Sequence, residues 1–141
     1  MANTIETDIK MNMPIRTGKW MRRAFLATAA MNLLGALTFL PSLTIIRETF
    51  GLPNQAHPLY LWIISIWIFA FGLCYLWLGI TGRRERLFVV IAATGKLSFV
   101  ALLFGYALAG EIPLLTAFSG LGDLFFGIIF VVWLWKTRGN E

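Results

Sequence analysis

Lys96 and Asp123 are ionisable side chains that each lie near the middle of a stretch otherwise apolar and long enough to span a membrane. A charge in hydrocarbon is costly unless it is paired, neutralised or wetted, so two opposite charges at matching depth are expected to face each other inside a bundle of helices. Three kinds of chemistry are open to such a pair. It holds the polar part of a ligand, exchanges a proton or cation, or only fixes the register of the helices that carry it.

The elements that must position the two charges follow from the apolar runs. Of the 141 residues, 58% are hydrophobic and 13% charged, against about 25% charged in an ordinary soluble domain, and the mean hydropathy is +0.74. Spans are predicted over 24–46, 59–81, 87–109 and 114–135, giving an all-α membrane protein with a four-helix antiparallel bundle at 24–136. A basic tail (1–23) precedes it and a short tail (137–141) follows. The first run contains 23 uncharged residues, longer than a signal peptide's usual apolar core of roughly 7 to 15, and no small-residue cleavage site follows it. Pro41 removes a backbone donor late in that run, so a kink or early end is expected near Leu40. Short connections make the second and third spans, and the third and fourth, antiparallel neighbours.

The net charge of +5 does not indicate nucleic-acid binding, because the bases flank apolar runs. Of twelve Lys and Arg residues, ten fall before span one, between spans two and three, or after span four; Arg47 alone lies on the opposite side, and Lys96 lies within the membrane. The positive-inside rule then puts both termini in the cytoplasm, as expected of a bacterial inner-membrane protein. Cys74 is the only cysteine, which excludes an intrachain disulfide and a CxxC redox pair; it is expected to be a small buried apolar residue. His57, the only histidine, belongs to a 47–58 loop with Arg47 and Glu48, too few ligands for structural zinc and one short of bis-histidine haem. No nucleotide, hydrolase or metalloprotease motif is present, and no metal or cofactor is expected.

At 1.5 Å per residue, the distance from the basic anchors sets each polar group's depth. Lys96 lies ~15 Å beyond Arg86, Asp123 ~20 Å before Lys136, Asn32 ~14 Å beyond Arg23 and Tyr75 ~12 Å before Arg83, so each span contributes a polar group to one layer. On the face of Asp123, Thr116, Ser119 and Gly127 complete a small and polar stripe; Thr28, Ala29, Gly35 and Ala36 share the face of Asn32. The face of Lys96 carries Ala92, Phe99, Val100, Leu103 and Ala107, while Ala101, Gly105 and Ala109 give the third span a second face suited to close helix contact, with another protomer or a larger membrane complex.

Four short spans, an Asn in the first, a Lys in the third and the string Gly122, Asp123, Leu124, Phe125, Phe126, Gly127 in the fourth resemble small bacterial membrane proteins of the DoxX-like kind. The resemblance covers about residues 20–138 and implies the four-helix architecture and, from members that serve quinone-linked oxidoreductases, an apolar ligand within the bundle. No functional residue is carried over from it. The small multidrug transporters also have four spans, but Asn32 stands where they have a glutamate.

The expected function is binding of a small apolar or amphipathic ligand, or of a partner membrane subunit, around Lys96 and Asp123, with Asn32, Tyr75, Ser119, Thr116 and Thr28 in the buried polar layer. The alternatives are a proton- or ion-coupled transporter, in which Asp123 alternates between Lys96 and the transported ion, and a structural subunit in which the pair only locks packing. An enzyme is disfavoured, since neither a nucleophile with its base nor a metal set is found.

Overall fold

The computed structural model describes residues 17–52 and 55–138, and every regular element among them is an α-helix: α1 (Lys19–Thr38), α2 (Thr44–Thr49), α3 (Pro58–Thr81), α4 (Arg86–Leu108), α5 (Leu114–Phe118) and α6 (Leu121–Lys136). Three stretches are long and apolar enough to cross a membrane: α3 with 24 residues, α4 with 23, and the Leu114–Lys136 stretch of α5 and α6 with 23. The α1 helix is less apolar because Lys19, Arg22 and Arg23 occupy its first turns. Its uncharged part, 24–38, covers only ~22 Å at 1.5 Å per residue.

The predicted bounds need four corrections. Helix α1 starts inside the expected basic tail, of which Lys10 and Arg16 lie outside the described residues. The 24–46 run is not one helix, because α1 stops at Thr38 and a separate α2 begins at Thr44. Pro41 accounts for the break, since it can neither donate to the helical ladder nor let Leu40 remain comfortably helical. The fourth run is divided at Ser119 and Gly120, where Ser119 Oγ donates to the Thr116 carbonyl at 2.6 Å instead of facing the interior. Finally, α3 and α4 share a short turn without close backbone approach; they meet through the Phe88 ring, 5.2 Å from Tyr75 and 5.7 Å from Phe71.

Close packing occurs instead within two antiparallel pairs, α1 with α3 and α4 with α6. In the first pair, Leu26 and Leu33 of α1 lie against Gly79 and Gly72 of α3, and Ser65 donates to the Ala36 carbonyl at 2.8 Å. In the second, Leu97 and Leu103 of α4 lie against Gly127 and Gly120 of α6 and its N-cap. Small residues let backbones approach and gain dispersion contacts, the main attraction available between helices in an apolar solvent. The pairs join through α1 and α6 and through an aromatic core in which Phe25, Tyr75, Phe88 and Phe130 pack with Met21, Leu78, Val89 and Trp133.

Arginines close several helix ends. Arg22 donates to the Gly79 and Ile80 carbonyls at the end of α3 at 3.0 and 2.7 Å. Arg84 and Arg86 donate to Thr137 at the end of α6 at 2.9 and 3.1 Å. Each guanidinium satisfies orphan carbonyls and sits at the negative end of a helix dipole. Thus part of the basic cluster that sets the expected orientation also has a packing role. Helix α4 ends without an arginine: Gly110 (φ 79°) lets the amides of Gly110 and Glu111 donate back to Ala107 and Tyr106. His57 is not merely a loop residue, since its Nδ1 accepts from the Leu59 amide at 3.2 Å and caps α3 ahead of Pro58.

Candidate functional site: a buried lysine and aspartate pair

Lys96 is placed on the inner side of α4 by Ala92, Val100 and Leu103, which are buried on the same face. Asp123 belongs to the first turn of α6, where the uncompensated amides and the helix dipole favour negative charge. It is in helical phase with Gly127 and Phe130, both buried, so it points into the interior. Gly122 brings α1 close at this level, because a Cβ there would meet Met31 Sδ at 2.8 Å.

The ammonium of Lys96 donates to Asp123 Oδ1 and to Asn32 Oδ1, the latter at 3.2 Å, and lies 5.6 Å from the centre of the Tyr75 ring. Three donors therefore meet a carboxylate, an amide oxygen and the face of a π-system. Asn32 passes the connection on, its Nδ2 donating to the Ile68 carbonyl of α3 at 3.4 Å. The layer thus ties together α1, α3, α4 and α6. Its two charges differ in access: the Lys96 side chain is 6% exposed and that of Asp123 24%.

Of the residues expected in this layer, Lys96, Asp123, Asn32 and Tyr75 come together, and three do not. Thr28 is buried but turns its hydroxyl back to the Ala24 carbonyl of its own helix at 2.8 Å. Thr116 donates to Phe50 at 2.6 Å and anchors the α2 segment to α5. Ser119 is engaged in the turn between α5 and α6. Thr28 and Ser119 each make a local bond that costs less ordering than reaching the layer, whereas Thr116 is drawn to a carbonyl distant in sequence. Cys74, expected to be buried, is exposed on α3, because Gly72, Tyr75, Leu78 and Gly79 occupy the inner face.

Arg47 has a role that residue spacing did not reveal. Its side chain is 1% exposed, and its guanidinium donates to the carbonyls of Thr38, Leu40 and Pro41 at 3.1, 2.7 and 3.4 Å. These carbonyls flank the break at Pro41, where the helical ladder is interrupted, and that of Leu40 also accepts from the Leu43 amide. The signal available was a lone base six residues after a proline inside an apolar run.

On the side of the polar layer away from the basic helix ends, Ala36, Leu61 and Ser65 are buried in α1 and α3, and Val100, Leu103 and Ala117 in α4 and α5. None of these belongs to the aromatic core, which extends from Tyr75 in the layer toward the opposite ends of the helices. Phe99, on the Lys96 face, remains 39% exposed. Chemically, the arrangement offers a neutral pair with an accessible carboxylate, bounded on one side by packed aromatic rings. Comparison with protein-family models, with curated proteins and with solved structures finds no match to this chain.

Proposed function

We propose that this chain is a multi-pass protein of the bacterial inner membrane, with four spans and both termini in the cytoplasm, that binds a small apolar or amphipathic ligand at Lys96, Asp123 and Asn32. The observation that carries this reading is the access of Asp123: its side chain is 24% exposed at a depth where an unmet charge is costly, although Lys96 beside it is enclosed. A pair serving only as a lock is best enclosed on both sides. In this arrangement α1, the 39–43 turn and α2 together make the first crossing, with Arg47 stabilising the irregular segment.

The test is the small-molecule content of protein purified in a mild detergent, measured by mass spectrometry for the wild type, Lys96→Met and Asp123→Asn. A co-purified compound near one per protein, lost from both variants, is the expected result; identical profiles in all three reject the reading. Reporter fusions at residue 55 and at the C-terminus test the topology, with only the second expected to report from the cytoplasm.

A second reading, assembly with another membrane chain, draws on the other face of α4. Ala101, Gly105 and Ala109 are exposed there, and a Cβ at Gly105 would meet nothing within 4 Å. Gly105→Leu is expected to leave the monomer folded and to abolish cross-linking in membranes if that face is an interface.

A further inference from the structure

We infer that the site selects an uncharged amphiphile whose head group donates a hydrogen bond, an alcohol or a phenol, to Asp123. The inference rests on the ligand-binding reading above and narrows it to a chemical class.

The first ground is an inventory of donors and acceptors. Lys96 directs its protons at Asp123, Asn32 and the Tyr75 ring, and the Asn32 amide nitrogen is engaged by Ile68. The ammonium protons are thus all committed, and the donors left in the layer are the second Nδ2 hydrogen of Asn32 and the Tyr75 hydroxyl. Asp123 uses Oδ1 for Lys96, and among the described residues no donor reaches Oδ2. That second oxygen is not a sealed orphan either, because no buried side-chain oxygen or nitrogen lacks a partner. What the site presents is an accessible acceptor. A head that only accepts, such as a ketone or an ester, leaves that acceptor unused.

The second ground is charge. Lys96 and Asp123 together are neutral. An anionic head would meet the carboxylate first and be repelled by it, with the ammonium beyond already committed to Asp123. A cationic head gains from Asp123 but is repelled by the ammonium already bonded to it, and must also leave water. An uncharged donor bonds the free oxygen without either cost, and a hydrogen bond to a charged acceptor is stronger than one between neutral groups.

The third ground is direction. Asp123 is on the interior stripe of α6, and the side toward the basic end is filled by Phe25, Tyr75 and Phe130, whose ring centres lie 5.7 to 6.4 Å apart. The accessible side is therefore the opposite one, where helices pack within pairs and Phe99 offers an exposed ring for an alkyl chain.

The chain contains only two aspartates, Asp8 and Asp123. Aspartate labelled with 13C at the carboxyl carbon therefore gives a single resonance in the Asp8→Asn variant, and the resonance reports directly on Asp123. The experiment titrates this labelled full-length protein, in phosphatidylcholine nanodiscs, with 1-dodecanol, dodecanoate, dodecylammonium and dodecane. Dodecanol is expected to shift the resonance saturably, at apparent concentrations at least about tenfold below either charged probe, and dodecane to leave it unmoved. Phe99→Ala, which leaves the pair intact, is expected to weaken the dodecanol effect several-fold. Equal or tighter binding of dodecanoate or dodecylammonium overturns the head-group inference while leaving ligand binding standing. No saturable shift with any of the four overturns both.

Discussion

Gly127 of α6 stands against Leu97 of α4: a Cβ on Gly127 would lie 2.9 Å from Leu97 Cδ2 and 3.6 Å from Lys96 Cβ. One helical turn from Asp123, this contact sets how closely the two charged residues approach. The leucine tip can rotate, so Gly127→Ala is expected to cost under about 1 kcal/mol, whereas Gly127→Ile forces the helices apart and costs about 1–3 kcal/mol. Unfolding in mixed micelles measures both. Equal losses from the two variants would mean that the helix separation is not set here.

The ion pair itself predicts a non-additive cycle. Lys96→Met or Asp123→Leu leaves one charge without its partner in the interior, a loss of about 3 kcal/mol, while the double variant leaves none and is expected to recover most of it. The same unfolding measurement gives the coupling. A double variant less stable than the worse single one would show that the two charges do not depend on each other for their stability.

The meeting of Lys96, Asp123 and Asn32 was legible in the sequence because the depth of a charge in an apolar run is a matter of counting, and helical phase is fixed by the 3.6-residue period. The fate of the hydroxyls was not legible. Thr28, Thr116 and Ser119 share the correct faces, yet each bonds a carbonyl within its own helix, its own turn or a neighbouring loop, and period alone does not distinguish these from an inward reach. Pro41 announced a break, but the partner for the carbonyls that flank it, Arg47, lies in what was expected to be a loop. The wider spacing of α3 and α4 was hidden for a similar reason: a short turn implies adjacency in the chain, whereas Gly72 and Gly79 direct the close approach of α3 to α1.

Arg47 supports a sharp prediction about charge and shape together. Its fork spans three carbonyls, so Arg47→Lys retains the charge but cannot serve them all, and Arg47→Met leaves buried carbonyls unmet. Losses of about 1–2 kcal/mol for lysine and 2–4 kcal/mol for methionine are expected, at roughly 1.5–3 kcal/mol for a hydrogen bond to a charged group. Hydrogen exchange at the amides of 42–46 is expected to rise in the same order. Full stability in Arg47→Lys would show that the charge alone suffices.

The end of α2 is held against α5 by contacts that a glycine permits. Gly51 has φ 66°, which lets its own amide and that of Leu52 donate to Glu48 and Arg47, and it lies against Pro113 and Thr116. An alanine Cβ would meet Pro113 Cγ and Thr116 Oγ1 at 2.9 Å each, besides forcing a side chain into left-handed backbone. The expected loss is about 1–2 kcal/mol, the cost of backbone strain added to displacement of the α2 segment. Because Thr116 Oγ1 bonds the neighbouring Phe50 carbonyl, Thr116→Val should release the same segment without straining Gly51. Limited proteolysis between residues 44 and 57 is expected to accelerate in both variants. Acceleration in Gly51→Ala alone would assign the effect to backbone strain and not to the contact with α5.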